Sequence, residues 1–246
     1  MAIRGAAWSR DELVAALKLY CLTPFGRIHS RNPAIVALAK ELGRTPSSVA
    51  LKMTNFASLD PTIDRAGMGN YSRLDKIVWD DFFGNMESYL VPQERATAPL
   101  AAYEAPTEFR FGERAGLDVL RLTKTRVNQS FFRSMVLTSY DNKCALTGIE
   151  APELLVASHI RPWALDHATR TNPRNGICLN TLHDRAFDEG LITLEEDTSV
   201  RYSPLLPAIA LEALKSISDT KLRLPSRFLP DSEFLNYHRT EVFKAG

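Results

Sequence analysis

The sequence has few cysteines, no long apolar run and almost no net charge. Its three cysteines, Cys21, Cys144 and Cys178, stand far apart in 246 residues. That spacing argues against a disulfide framework, and the lack of any CxxC pair argues against the usual thiolate zinc site. No stretch approaches the ~20 apolar residues that a membrane-spanning helix needs. The opening MAIRGAAWSRDEL lacks the apolar core of a secretory signal, so cytoplasmic residence without a membrane is the expectation. Internal repeats and low-complexity tracts are missing too. A formal net charge of +1 gives no overall attraction to nucleic acid, so any phosphate contact must come from a local basic face. One candidate face runs from Arg110 to Lys143, with Arg114, Arg121, Lys124, Arg126 and Arg133 set against Glu113, Asp118 and Asp141.

What remains is ordinary soluble material, 45% apolar and 24% charged, enough for one large domain or two smaller ones. The first 90 residues read as helices. Ser9 and Glu12 have capping-box spacing ahead of Leu13, Leu17 and Tyr20. Asn32-Pro33 opens a second helix, striped by Ile35, Leu38, Ala39 and Leu42 and stopped by Gly43. Thr45 caps a third, with Pro46 at its first position and Val49, Met53 and Phe56 inward. The stretch IVALAKELGRTPSSVALKMTNF has the outline of a helix-turn-helix. On that reading the helix after Thr45 is the reader, with Arg44, Ser47, Ser48 and Lys52 as groove candidates. An ordinary helical hairpin explains the same pattern. A further helix is expected from Ser72 to Tyr89, with Trp79 closing the core.

The proline- and alanine-containing stretch that follows, without periodicity, reads as a linker at 93–108, separating a helical domain at 1–92 from a second domain at 109–246. In the second domain Val127 to Tyr140 suits a packed helix. Cys144 then leads through the Thr147-Gly148 turn to an apolar strand ending at His159. A polar loop with Asn175-Gly176 precedes a second apolar run, Ile177 to Leu179, and a short helix carrying His183, Asp184 and Asp188. The two aspartates are four apart and share a helix face; His183 lies about 100° round. The expectation is a strand histidine facing ligand side chains on the helix. A histidine can take a proton from water near neutral pH, and oxygen ligands with retained waters suit Mg2+. Arg161, Arg174 and Arg185 are candidate phosphate contacts. Further on, GLITLEEDTSVRYS reads as a hairpin turning at Asp197-Thr198. His167, His29 and His238 receive no role.

Ser-His-Ile-Arg-Pro-Trp from Ser158, Asn-Gly-Ile-Cys-Leu from Asn175 and His-Asp-Arg-Ala-Phe-Asp-Glu-Gly-Leu-Ile from His183 stand in an order that resembles the HNH endonuclease family. The preceding tyrosine-ended helix with its Cys-x-x-Thr-Gly turn resembles that family as well. The resemblance implies an α+β chain: an all-helical N-terminal domain followed by a ββα-metal nuclease domain with flanking helices. It implies His159 as general base and Asn175 as the residue that holds the loop and orients that base. It also implies Mg2+ or Mn2+ held by some of His183, Asp184 and Asp188. Counting back from Phe187-Asp188 puts the helical ligand at Asp184, whereas matching the letters favours His183, and both stay open. Ser158 stands where many members have a ligand.

The implied activity is metal-dependent hydrolysis of DNA phosphodiesters, leaving 5′ phosphate and 3′ hydroxyl, in restriction or defence against foreign DNA, with modified DNA as one candidate target. Cutting both strands calls for two sites, which suggests a homodimer. The rivals are a DNA-binding regulator with an inactive HNH core and a structural metal-binding interaction module.

Overall fold

A computed structural model describes residues 7–63, 70–90, 116–163 and 169–246, with side chains from 127 onward in the helix that begins at Gly116. The linker expected at 93–108, Arg110, Arg114 and His167 fall outside the described residues, as do the side chains of Arg121, Lys124 and Arg126.

The N-terminal part is helical: α1 (Arg10–Leu22), α2 (Pro33–Glu41), α3 (Pro46–Ala57), α4 (Arg73–Gly84) and α5 (Met86–Leu90). The caps read from sequence are formed. Ser9 and Glu12 bond reciprocally at the start of α1, Asn32 accepts from Ala34 N before α2, and Thr45 accepts from Ser48 N before α3. Gly43 takes φ +63° after α2, a left-handed turn that a residue with a Cβ enters only at a cost. The single helix expected from Ser72 to Tyr89 is instead two. The chain breaks at Asn85 (φ −135°, ψ 35°), whose side-chain amide donates back to Asp81. Leu13, Leu17, Tyr20, Met53, Phe56, Val78 and Phe82 are fully buried and, with Trp79, form one apolar cluster.

The groove expectation for Arg44 and Lys52 needs correction. Arg44 is 8% exposed; it donates to both carboxylate oxygens of Glu12 and to Ala7 O, and it stacks on Trp8. Lys52 donates to both oxygens of Asp75, at 2.9 Å each, and that carboxylate is fully buried. These cations fasten α1 to the turn before α3 and α3 to α4. Removing one partner of a buried pair strands the other's charge. Lys52→Met is therefore expected to destabilise the fold by about 3–5 kcal/mol in chemical unfolding, without a change in DNA affinity.

The helix α6 (Gly116–Ser139) is a wall shared by two cores. Its Phe131 and Met135 join the N-terminal cluster, while Phe132 and Val136 join a second one. That second cluster is built on β1 (Leu155–His159), β2 (Gly176–Asn180), α7 (Thr181–Asp188), β3 (Ile192–Leu194), β4 (Val200–Tyr202), α8 (Ala208–Ile217) and α9 (Ser232–Tyr237). β1 pairs antiparallel with β2, and β3 with β4 about a turn containing Thr198 at φ +67°, where the sequence places it.

The C-terminal chain also ties back to the helical part. Fully buried Arg227 donates to Tyr20 O and Cys21 O at the end of α1, and Phe228 packs in the N-terminal cluster. Among the described residues no helix is long and apolar enough to cross a membrane.

Candidate functional site

The β1–β2 ribbon and α7 position the expected residues. Because side chains alternate along a strand, the register sorts them between two faces. His159 lies opposite Gly176, and a Cβ on Gly176 would come within 2.4 Å of Val136 Cγ2 and 2.8 Å of Phe132 Cζ. That face therefore meets α6, and glycine is required there by close approach. Ser158 points to the other face, towards α7. This corrects the expected arrangement: Ser158, not His159, faces the helix that carries the aspartates.

The His159 ring stacks on Phe132 (centroids 4.0 Å, planes 15° apart) and meets Trp163 edge-on at 5.2 Å. Its Nε2 lies 3.0 Å from Arg170 O. A carbonyl only accepts, so Nε2 carries the proton and Nδ1 keeps its lone pair. Burial lowers the His159 pKa, and the Arg170 carbonyl only partly offsets it, so the ring is neutral at pH 7. A neutral imidazole held in one tautomer is a competent proton acceptor.

Asn175 is fully buried and grips the chain just after His159. Its Oδ1 accepts from Arg161 N at 2.8 Å, its Nδ2 donates to Arg161 O at 3.3 Å, and its own carbonyl accepts from Ile160 N at 3.0 Å. It acts on the strand exit rather than on the imidazole itself.

α7 packs under the ribbon, capped by Asn180, whose Oδ1 accepts from Leu182 N and His183 N. Asp184 comes level with Ser158. Burial raises its pKa, while the Ser158 hydroxyl and the Arg185 charge pull it back. Ser158 Oγ is buried and close enough to favour the Asp184 carboxylate, yet it meets no partner at full hydrogen-bond geometry. Asp188, one turn further on, reaches solvent, but surrounding protein pushes its pKa up to about 6, and the Asp184 charge adds to the push. The Asp184 carboxylate, whose charge adds to the raising of the Asp188 pKa, and the buried Ser158 hydroxyl beside it form a locally negative, oxygen-rich spot.

His183 is fully buried. Its Nδ1 lies 3.1 Å from Asn180 Oδ1 and its Nε2 2.5 Å from Ser218 Oγ. With both nitrogens engaged inside the core, His183 is removed from the candidate ligands and Asp184 remains. The signal was in the sequence: three and four residues on, Ala186 and Phe187 continue the buried stripe. His183→Ala is expected to lower stability by about 1–3 kcal/mol from its orphaned partners, with Mn2+ affinity unchanged in calorimetry.

The arginines divide. Arg185 is exposed and pairs with Glu189, a surface contact of little energy that a phosphate could replace. Arg174 is held by Asp231 and Leu229 O, and Arg161 lies over the rings of Tyr237 and Phe234. In the expected basic face, Arg133 donates to Leu155 O and Pro152 O, and Lys143 pairs with Glu150. Ser47 is exposed on α3. His238, which had no expected role, is buried, stacks on Phe187 at 3.7 Å and bonds Thr193 and Phe187 O. It is a core histidine that anchors the C-terminal chain. Among the described residues no three His, Cys, Asp or Glu side chains gather as a ready-made metal cluster.

Residues 144–195, which hold the ribbon, α7 and β3, match the model of the HNH endonuclease family. That segment thus has the pattern of an HNH endonuclease domain. One solved structure, "Modification dependent TagI restriction endonuclease", is similar at 22% identity with a TM-score of 0.34 over 45% of this chain. The match spans 37% of that enzyme. The comparison with curated proteins returns no match.

Proposed function

We propose that the protein is a metal-dependent DNA endonuclease in which His159 is the general base. The observation that carries this reading is the imidazole fixed through Nε2 by Arg170 O, at the end of a strand inside the segment that matches the HNH family. His159 Nδ1 takes a proton from water as that water attacks phosphorus. Asn175 keeps the strand exit, and so the imidazole, in place. Arg185 is the best placed of the three arginines to meet a phosphate.

HNH nucleases in general depend on a divalent metal, and the donor set here fits a hard cation. Asp184 and Asp188 offer oxygen, their raised pKa values mark a charge that a cation would relieve, and the unsatisfied Ser158 hydroxyl is at hand for a bound water. With so few protein ligands, Mg2+ or Mn2+ would keep most of its waters; bound there, it would offset phosphate charge and stabilise the departing 3′ oxygen. His159 and the two aspartates serve opposite faces of the ribbon, so a phosphate attended by both lies across the ribbon's open end.

In this reading residues 1–92 form a helical targeting unit and 109–246 the nuclease. A helix-turn-helix role for α2 and α3 has lost Arg44 and Lys52 to internal ion pairs and rests on the exposed side of α3, including Ser47. Cleavage of both strands would use a homodimer. The biological setting we propose is restriction or a related defence against foreign DNA. The test is a panel of unmodified, methylated and hydroxymethylated plasmids with end-labelling of the products. Nicks bearing 5′ phosphate and 3′ hydroxyl are expected, whereas DNA binding that survives EDTA with no cleavage on any substrate would favour a binding regulator.

A further inference from the structure

The carbonyl that fixes His159 belongs to a residue whose side chain is held by the other half of the molecule. Arg170 forms a two-pronged ion pair with Glu87 on α5, through Nε and Oε1 and through Nη2 and Oε2 at 2.9 Å. The guanidinium also lies 5.0 Å over Trp163, the ring that meets His159 edge-on. Glu87 is 83 residues from Arg170 in sequence and lies in the helical unit, outside the segment that matches the HNH family. The Glu87 charge and hydrogen bond both raise the Arg170 pKa, as expected of a formed pair. Paired arginine and glutamate in fork geometry set direction as well as distance.

We propose that Glu87 is a positioning residue for the general base, so that the N-terminal helical unit completes the nuclease site. Glu87 holds the Arg170 side chain, this fixes the main chain at Arg170, and the Arg170 carbonyl keeps His159 in the tautomer that leaves Nδ1 unprotonated. The inference rests on the nuclease reading for its consequence in catalysis, but the linkage from Glu87 to the His159 tautomer can be measured without it. A target-reading event that moves α5 would thereby change how the base is held. Displacements near 1 Å cost about 100-fold in rate in well-aligned sites, so a weakened link should be visible in kcat while KM is kept.

The experiment uses the full chain. The sequence has five histidines, so imidazole 15N signals can be resolved, with His159→Ala identifying that of His159. Glu87→Gln is expected to shift the His159 signals from the Nε2-protonated pattern towards a tautomer mixture and to lower kcat about 10- to 100-fold at unchanged KM. The exchanged pair Glu87→Arg with Arg170→Glu should restore both, because His159 bonds the main chain of residue 170 and not its side chain. A Glu87→Gln protein with wild-type His159 signals overturns the proposal, whether or not kcat or thermal stability falls. Should Glu87→Gln fail to fold, Glu87→Asp and the exchanged pair decide: His159 signals that ignore the state of the pair overturn it equally. If the wild type cuts no DNA, the nuclease reading fails, and the 15N result still decides the linkage.

Discussion

Replacing His159 with alanine is expected to lower the rate of DNA cleavage by about 10²- to 10⁴-fold, the usual contribution of a positioned general base. Melting temperature and DNA affinity should change little by comparison, because the ring is only partly covered and meets no phosphate in this reading. The effect is large because no other described histidine at the site can take over. Among the histidines expected near the site, His183 is buried with both nitrogens engaged. The fixed tautomer also makes a sharper prediction: His159→Asn fills similar space but cannot take a proton at the Nδ1 position, so it should be as inactive as alanine. Single-turnover kinetics on a nicking substrate measures both.

The second large effect belongs to the carboxylate pair. Asp184→Asn is expected to reduce cleavage on the order of 10²- to 10³-fold, since ion binding supplies several kcal/mol to the transition state and each 1.4 kcal/mol is tenfold. Asp188→Asn separates stability from activity. The Asp188 pKa is raised from 3.8 to about 6, so folded protein holds this proton more tightly than unfolded chain does. Its charge therefore weakens the fold progressively as pH rises from about 4 to about 6, and fully above that. Asp188→Asn should accordingly raise the melting temperature at pH 7.5, lose that advantage below about pH 4, and still lower cleavage. In the wild type, cleavage should fall as pH drops through about 6, because a cation needs the carboxylates ionised. Melting curves and rates across pH 4–8 measure both trends; a protein whose activity rises with Asp188 neutralised would contradict the ion site.

Much of the framework was legible because it is local. The caps at Ser9, Asn32 and Thr45 and the turn at Thr198 depend on residues within a few positions of one another, and the two strands of the ribbon and the short helix each show in their own local run of residues. What was not legible depends on partners far along the chain. Arg44 and Lys52 look like groove cations until Glu12, 32 residues before the first, and Asp75, 23 residues after the second, are seen to hold them. The choice between His183 and Asp184 turns on the phase of one short helix, where a step of 100° separates core from solvent. Which side of the ribbon His159 takes follows from strand alternation, but only once the register and the place of α6 are known. The Glu87 link crosses 83 residues and both units, and no pattern near His159 announces it.

The most direct test of the central claim is supercoiled plasmid cleavage by the wild type and His159→Ala, each with Mg2+, Mn2+ or EDTA. The account predicts nicking by the wild type with a divalent ion, none in EDTA, and at least a hundredfold less with His159→Ala under every condition. Equal cleavage by the two proteins, or cleavage by the wild type that EDTA leaves untouched, would contradict it.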